Sequence, residues 1–136
     1  MSRSNYSEDL DWRDLVMYRG QVASAIRGKR GQRLLLELVQ AMDEMPEKVL
    51  IREELIDPAG HYCALGVVGA KRGIAMGEID AEEPGCVADA FDIAYQLAAE
   101  IAYINDEEGS YRETPAERWT RVRNWAIQHI QPVPID

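Results

Sequence analysis

The chain has 136 residues, a formal net charge of -9 at pH 7, and 46% hydrophobic against 29% charged residues. That length suits one domain with a real core, and that balance excludes intrinsic disorder and a general attraction to nucleic acid or anionic membrane, because the summed field repels polyanions. Two cysteines, Cys63 and Cys86, are too few for a disulfide scaffold, and neither a charged-then-apolar leader nor a long apolar run is evident, so a cytoplasmic protein that does not span a membrane is expected.

In chain order, residues 1–10 are polar and are expected to form a flexible N-terminus, residues 11–131 a single helical domain, and 132–136 a C-terminal tail. From Asp11, Trp12, Leu15, Val16, Val22, Ala23 and Ile26 repeat at helical spacing until Gly28, a residue that commonly follows a helix C-terminus. A second helix begins after Gly31, with Leu34, Leu35, Leu38, Val39, Ala41, Met42 and Met45 on a broad apolar face, and stops at Pro46. The next stretch reads two ways. Val49 to Ile56, the turn Asp57-Pro58-Ala59-Gly60 and His61-Tyr62-Cys63 fit a short β-hairpin around residues 49–63, whereas helix is the competing reading for 47–56. Ala64 to Arg72 reads as a short helix ended by Gly73.

After an acidic loop, residues 85–105 present Val87, Ala90, Phe91, Ala94, Leu97, Ala98, Ile101 and Ile104 as one wide face, with Asp89, Asp92, Gln96 and Glu100 as a polar strip. One long central helix is expected there. Thr114-Pro115-Ala116-Glu117 combines an N-cap threonine, a first-turn proline and a glutamate at the third helical position, and the helix it starts should run to about Gln131 before Pro132. The predicted fold is therefore mainly α: a compact bundle of about five helices.

Chemistry-bearing residues are sparse. Arg27, Lys29, Arg30 and Arg33 surround two glycines and form a basic corner able to hold an anion on the amides of the second helix; the plainer account is a solvated corner pairing with surplus carboxylates. No aromatic is interleaved with those charges, as single-stranded nucleic-acid platforms require. His61 near Cys63 is the only kernel of a cysteine enzyme, but no acid is placed to orient the histidine, and Cys63 sits among small apolar neighbours. His61, Cys63, Cys86 and His129 match no zinc spacing, and Glu78, Asp80, Glu82 and Glu83 lack the alternation of a calcium loop. No metal, cofactor or catalytic residue is expected.

Arg19 and Arg123 fall where a helical wheel puts core, so each must snorkel, meet a carboxylate or face a partner. Trp125 leaves the edge of the last apolar face near Arg118, Arg121 and His129, and tryptophan with arginine is the composition of interface hot spots. These four residues are the expected partner contact, with a homodimer as one form of it.

Tyr18-Arg19-Gly20, Ser24-Ala25-Ile26-Arg27-Gly28-Lys29-Arg30-Gly31-Gln32, Cys63-Ala64-Leu65-Gly66, Glu113-Thr114-Pro115 with Arg118-Trp119, and Arg123-Asn124-Trp125 together carry a resemblance spanning most of the chain. The chain resembles a group of small bacteriophage- and prophage-encoded proteins to which no activity is assigned. The resemblance carries over no catalytic residue. It implies a bacterial cytoplasm and roles in host takeover, evasion of host defence or phage genome handling. The function expected is a non-catalytic protein that binds a macromolecular partner, most simply another protein. The alternatives are a nucleic-acid-associated protein using the basic corner and, more remotely, a cysteine-dependent enzyme.

Overall fold

The computed structural model describes residues 12–132, so the expected flexible N-terminus and most of the expected tail lie outside the described residues. Six α-helices follow in order: α1 (Trp12–Arg27), α2 (Lys29–Glu44), α3 (Ala64–Arg72), α4 (Pro84–Phe91), α5 (Tyr95–Asp106) and α6 (Pro115–His129), with one 3-10 turn at Met76–Glu78. The mainly helical reading holds, and no helix among the described residues is long and apolar enough to cross a membrane.

Local signals explain most boundaries. Gly73 sits in the left-handed region at φ 74° just past α3, and its amide closes the last turn onto Ala70 and Gly69. Thr114 caps α6 reciprocally: its hydroxyl accepts from the Glu117 amide, and the Glu117 carboxylate accepts from the Thr114 amide. α2 packs on α6, α3 and α1, while α5 packs on α4, α1 and α3. Leu34, Leu35, Leu38 and Met42 of α2, Phe91 and Leu97 at the α4–α5 corner, and Val122 and Ala126 of α6 are fully excluded from solvent. The core lies between these helices.

Three expectations are corrected. α2 begins at Lys29 rather than after Gly31, because the Gln32 amide already closes a helical turn onto Gly28 O and Gly31 lies buried inside the helix. The single helix over 85–105 is two helices, because Asp92 adopts φ 54° and ψ 52°, a left-handed conformation that aspartate tolerates better than most residues. Its neighbour Ile93 turns into the core at 4% exposure. The count accordingly rises from the expected five or so helices to six among the described residues.

No β-strand forms between residues 49 and 63. The segment is an irregular loop with one isolated antiparallel bridge, Ile56 to Tyr62, and the competing helix over 47–56 does not form either. The predicted turn is present, with the Gly60 amide donating to Asp57 O and the Asp57 carboxylate accepting from the Ala59 and His61 amides. The outgoing arm cannot continue as a strand. Glu53 stands at φ 68°, its amide donating to the Asp106 carboxylate, and the Leu50 amide donates to Pro115 O. Two amides that a hairpin ladder needs are thus taken by α5 and α6, and single bonds such as Ile51 N to Tyr62 O join the arms without building a strand.

Close backbone approach fixes how this loop and α1 seat on the helices. A Cβ on Gly66 would lie 1.8 Å from Leu55 O, and one on Gly31 would lie 2.0 Å from Ala25 O. Only glycine lets α3 approach the loop, and α2 approach the end of α1, this closely.

Candidate interaction surface

α1 carries its inward stripe beyond what the bundle covers. Val22 and Ile26 are buried, yet Trp12 is 74% exposed, Met17 66%, Val16 50% and Leu15 37%. Trp12, Leu15 and Val16 stand at i, i+3 and i+4, the spacing at which a helix offers anchors to a partner's groove. The expected inner face of α1 is therefore half core and half surface. The changeover falls at Arg19, which donates from one Nη to both oxygens of Glu100 at 2.8 and 2.9 Å. Glu100, expected on a polar strip, is instead buried, with 3% side-chain exposure against 49% for Arg19. Desolvation and the charges of Tyr95 and Glu100 push the adjacent Tyr18 phenol up to about 12.

The basic corner stands where the sequence put it. Arg27, Lys29, Arg30 and Arg33 are all exposed around the α1–α2 joint, and Gly28 caps α2 in extended conformation without a side-chain hydrogen bond. Arg30 pairs with Asp92 at 3.1 Å, across two side chains that are mostly exposed, a contact of small energetic weight. Gln32 staples the joint to α6: its amide nitrogen donates to Ile26 O and His129 O, and its oxygen accepts from the Gln131 amide.

Of the residues expected around Trp125, the fold keeps Arg121 and His129 beside it and buries Arg118. Arg118 is 4% exposed and donates to Leu50 O at 2.8 Å. Arg121 donates to Ile104 O at 2.6 Å and forks onto the Glu113 carboxylate at 2.6 and 3.0 Å, so it closes the C-terminal end of α5. Both arginines hold the subunit together. Trp125 is half-buried, its ring 4.9 Å from that of His129, whose Nδ1 lies 2.7 Å from Trp125 O. Trp125 and Arg121 share the wall of a shallow groove with Glu113, Glu117 and Gln128. Arg123 also resolves internally, forking onto Asp43 at 2.6 and 3.0 Å and standing 5.9 Å over the Trp119 ring.

Glu113 lies under Arg121, Arg118 and Arg52. The hydrogen bonds from Arg121 and the charges of all three arginines hold its carboxyl below the ordinary 4.5, against the opposing effect of burial. Glu37 beside Arg72 and Asp43 beside Arg123 are lowered in the same way. Depressed carboxylates stabilise the fold fully above their ordinary values and lose that contribution as pH falls through the folded values. Urea titrations between pH 7 and pH 3 should therefore show a level unfolding free energy down to roughly pH 5, then a decline. Glu113→Gln should cost about 3 kcal/mol at pH 7, because it strips the buried Arg118 of its counter-charge, and should flatten part of the acid decline. A variant as stable as the parent at pH 7 would contradict this role.

His61 and Cys63 each meet other groups. The imidazole faces Glu47 at 3.4 Å and Asp57 at 3.7 Å. The Cys63 sulfur is buried and accepts from the Gly66 amide at 3.4 Å, which makes it the N-cap of α3. Among the described residues no three histidine, cysteine, aspartate or glutamate side chains converge as a metal site. No family model matches the chain, and no curated protein or solved structure is significantly similar to it.

Proposed function

We propose that this protein is a non-catalytic binding protein whose first two turns of α1 dock in an apolar groove of a protein partner. The observation that carries the reading is the exposed run of Trp12, Leu15, Val16 and Met17 on a helix whose other half is anchored in the core. A tryptophan on a preformed helix supplies the large, rigid anchor on which interface energy concentrates, and little ordering entropy remains to be lost on binding. The setting that suits it is the cytoplasm of a bacterial host, where a small acidic accessory protein of phage or prophage type takes part in host takeover or blocks a defence protein.

Photo-crosslinking amino acids placed at Trp12 and Val16, compared with the exposed control Leu36 on α2, test this in bacterial cells. A discrete adduct at both α1 positions, absent at Leu36 and lost with Leu15→Asp, is expected. Adducts that are absent, or equal at Leu36, overturn the proposal. Retention on DNA that falls steeply with salt and vanishes in Lys29→Glu/Arg30→Glu would favour the basic corner and nucleic acid instead.

A further inference from the structure

A cavity of about 360 Å³ opens between the end of α2, the following loop, the Ala59 to Tyr62 turn and the outer face of α3. It is separate from α1 and from the groove beside Trp125. Its floor is made by Ala41 and Met45 of α2, Val67 and Ala70 of α3, and Tyr62. The volume falls at the small end of ligand pockets, about 300 to 1,000 Å³, and a mostly apolar wall with a few convergent polar groups is their usual construction.

The polar groups are not balanced. Glu44, Glu47, His61 and Lys71 also line the cavity. Lys71 is taken by Glu44 at 3.1 Å, and Glu47 faces His61 at 3.4 Å with 69% of its side chain exposed. His61 stands between Glu47 at 3.4 Å and Asp57 at 3.7 Å, so a single imidazole cannot offset both carboxylates and this wall stays negative. Lys48, the nearest other cation in sequence, is committed to Asp43 O at 2.6 Å and to Met45 O, and does not line the cavity. The wall thus suits an apolar body bearing one positive head.

We infer that this cavity is a binding site for a small aliphatic or aromatic ammonium ion, its apolar part on Ala41, Val67 and Ala70 and its head at Glu47. The carboxylate selects charge, and the floor supplies affinity by removing hydrocarbon from water. The site is independent of the α1 surface, so either can fail alone.

The test is a titration of the full chain with hexylammonium, hexan-1-ol and hexanoate, read by backbone amide chemical shifts. Saturable shifts at Ala41, His61 and Ala70 are expected with hexylammonium at millimolar concentration, with affinity at least tenfold weaker for hexanoate and several-fold weaker for hexan-1-ol. Glu47→Gln should bring hexylammonium and hexan-1-ol within about twofold of each other, the loss of roughly one screened charge contact. Ala70→Trp, which fills the cavity from an exposed position, should abolish the shifts, and Ala59→Trp on the turn serves if that variant misfolds. The inference is overturned if no ligand gives saturable shifts, if hexanoate binds as well as hexylammonium, or if filling the cavity leaves binding intact.

Discussion

Gly66→Ala is expected to lower stability by about 3 kcal/mol, the upper end for overpacking, because the added carbon would meet a backbone oxygen that has no rotamer by which to withdraw. The Cβ position lies 1.8 Å from Leu55 O and 2.8 Å from Leu55 C. Relief requires either α3 or the loop to move. Moving the loop strains the hydrogen bonds that seat it, from the Cys63 amide to Leu55 O and from Asn105 Nδ2 to Ile51 O. Gly77→Ala is the matched control, since nothing lies within 4 Å of its Cβ position. Urea denaturation of both variants checks the prediction. A Gly66→Ala chain within about 0.5 kcal/mol of the parent, the range of an ordinary surface change, would show that the loop yields freely.

The second large effect is expected at Arg19. Arg19→Met should cost about 3 kcal/mol, most of it the penalty of leaving the Glu100 carboxylate buried without its main counter-charge. Adding Glu100→Leu to Arg19→Met should recover a good part of that loss, because two apolar side chains of similar volume leave no unsatisfied charge. The double-mutant cycle reads the coupling directly. Single and double variants of equal stability would mean that the pair contributes nothing to docking α1 on α5. The result also bears on the proposed interaction surface, since Arg19 holds α1 where its exposed turns begin.

The extent to which the candidate surfaces were legible in the sequence differs residue by residue. The basic corner was legible because charge density between two glycines at a helix joint is a local property. Arg118 is buried and Arg121 is tied inward, which a helical wheel does not show, because it gives the side chains that share a face but not the carbonyls another segment brings to them. Leu50 O and Ile104 O come from residues remote in the chain. The α1 surface was hidden for the same reason: Trp12, Leu15 and Val16 belong to the inward stripe by periodicity, and nothing in their spacing says that the bundle stops covering it at Arg19. The cavity at the end of α2 carried no linear signal, since its walls join residues 41–49 with 59–71.

Local signals in the sequence specify the helical class, the C-terminal ends of α1, α2 and α3, and the start of α6. Those ends rest on glycine, proline and a threonine capping box, which act within a turn or two of where they stand. Tertiary structure decided the rest. It broke the 85–105 helix at Asp92, drew Glu100 into the core to meet Arg19, and spent the amides of Leu50 and Glu53 on α6 and α5 instead of on a hairpin. Periodicity specifies a face, whereas burial of that face depends on what the rest of the chain brings against it.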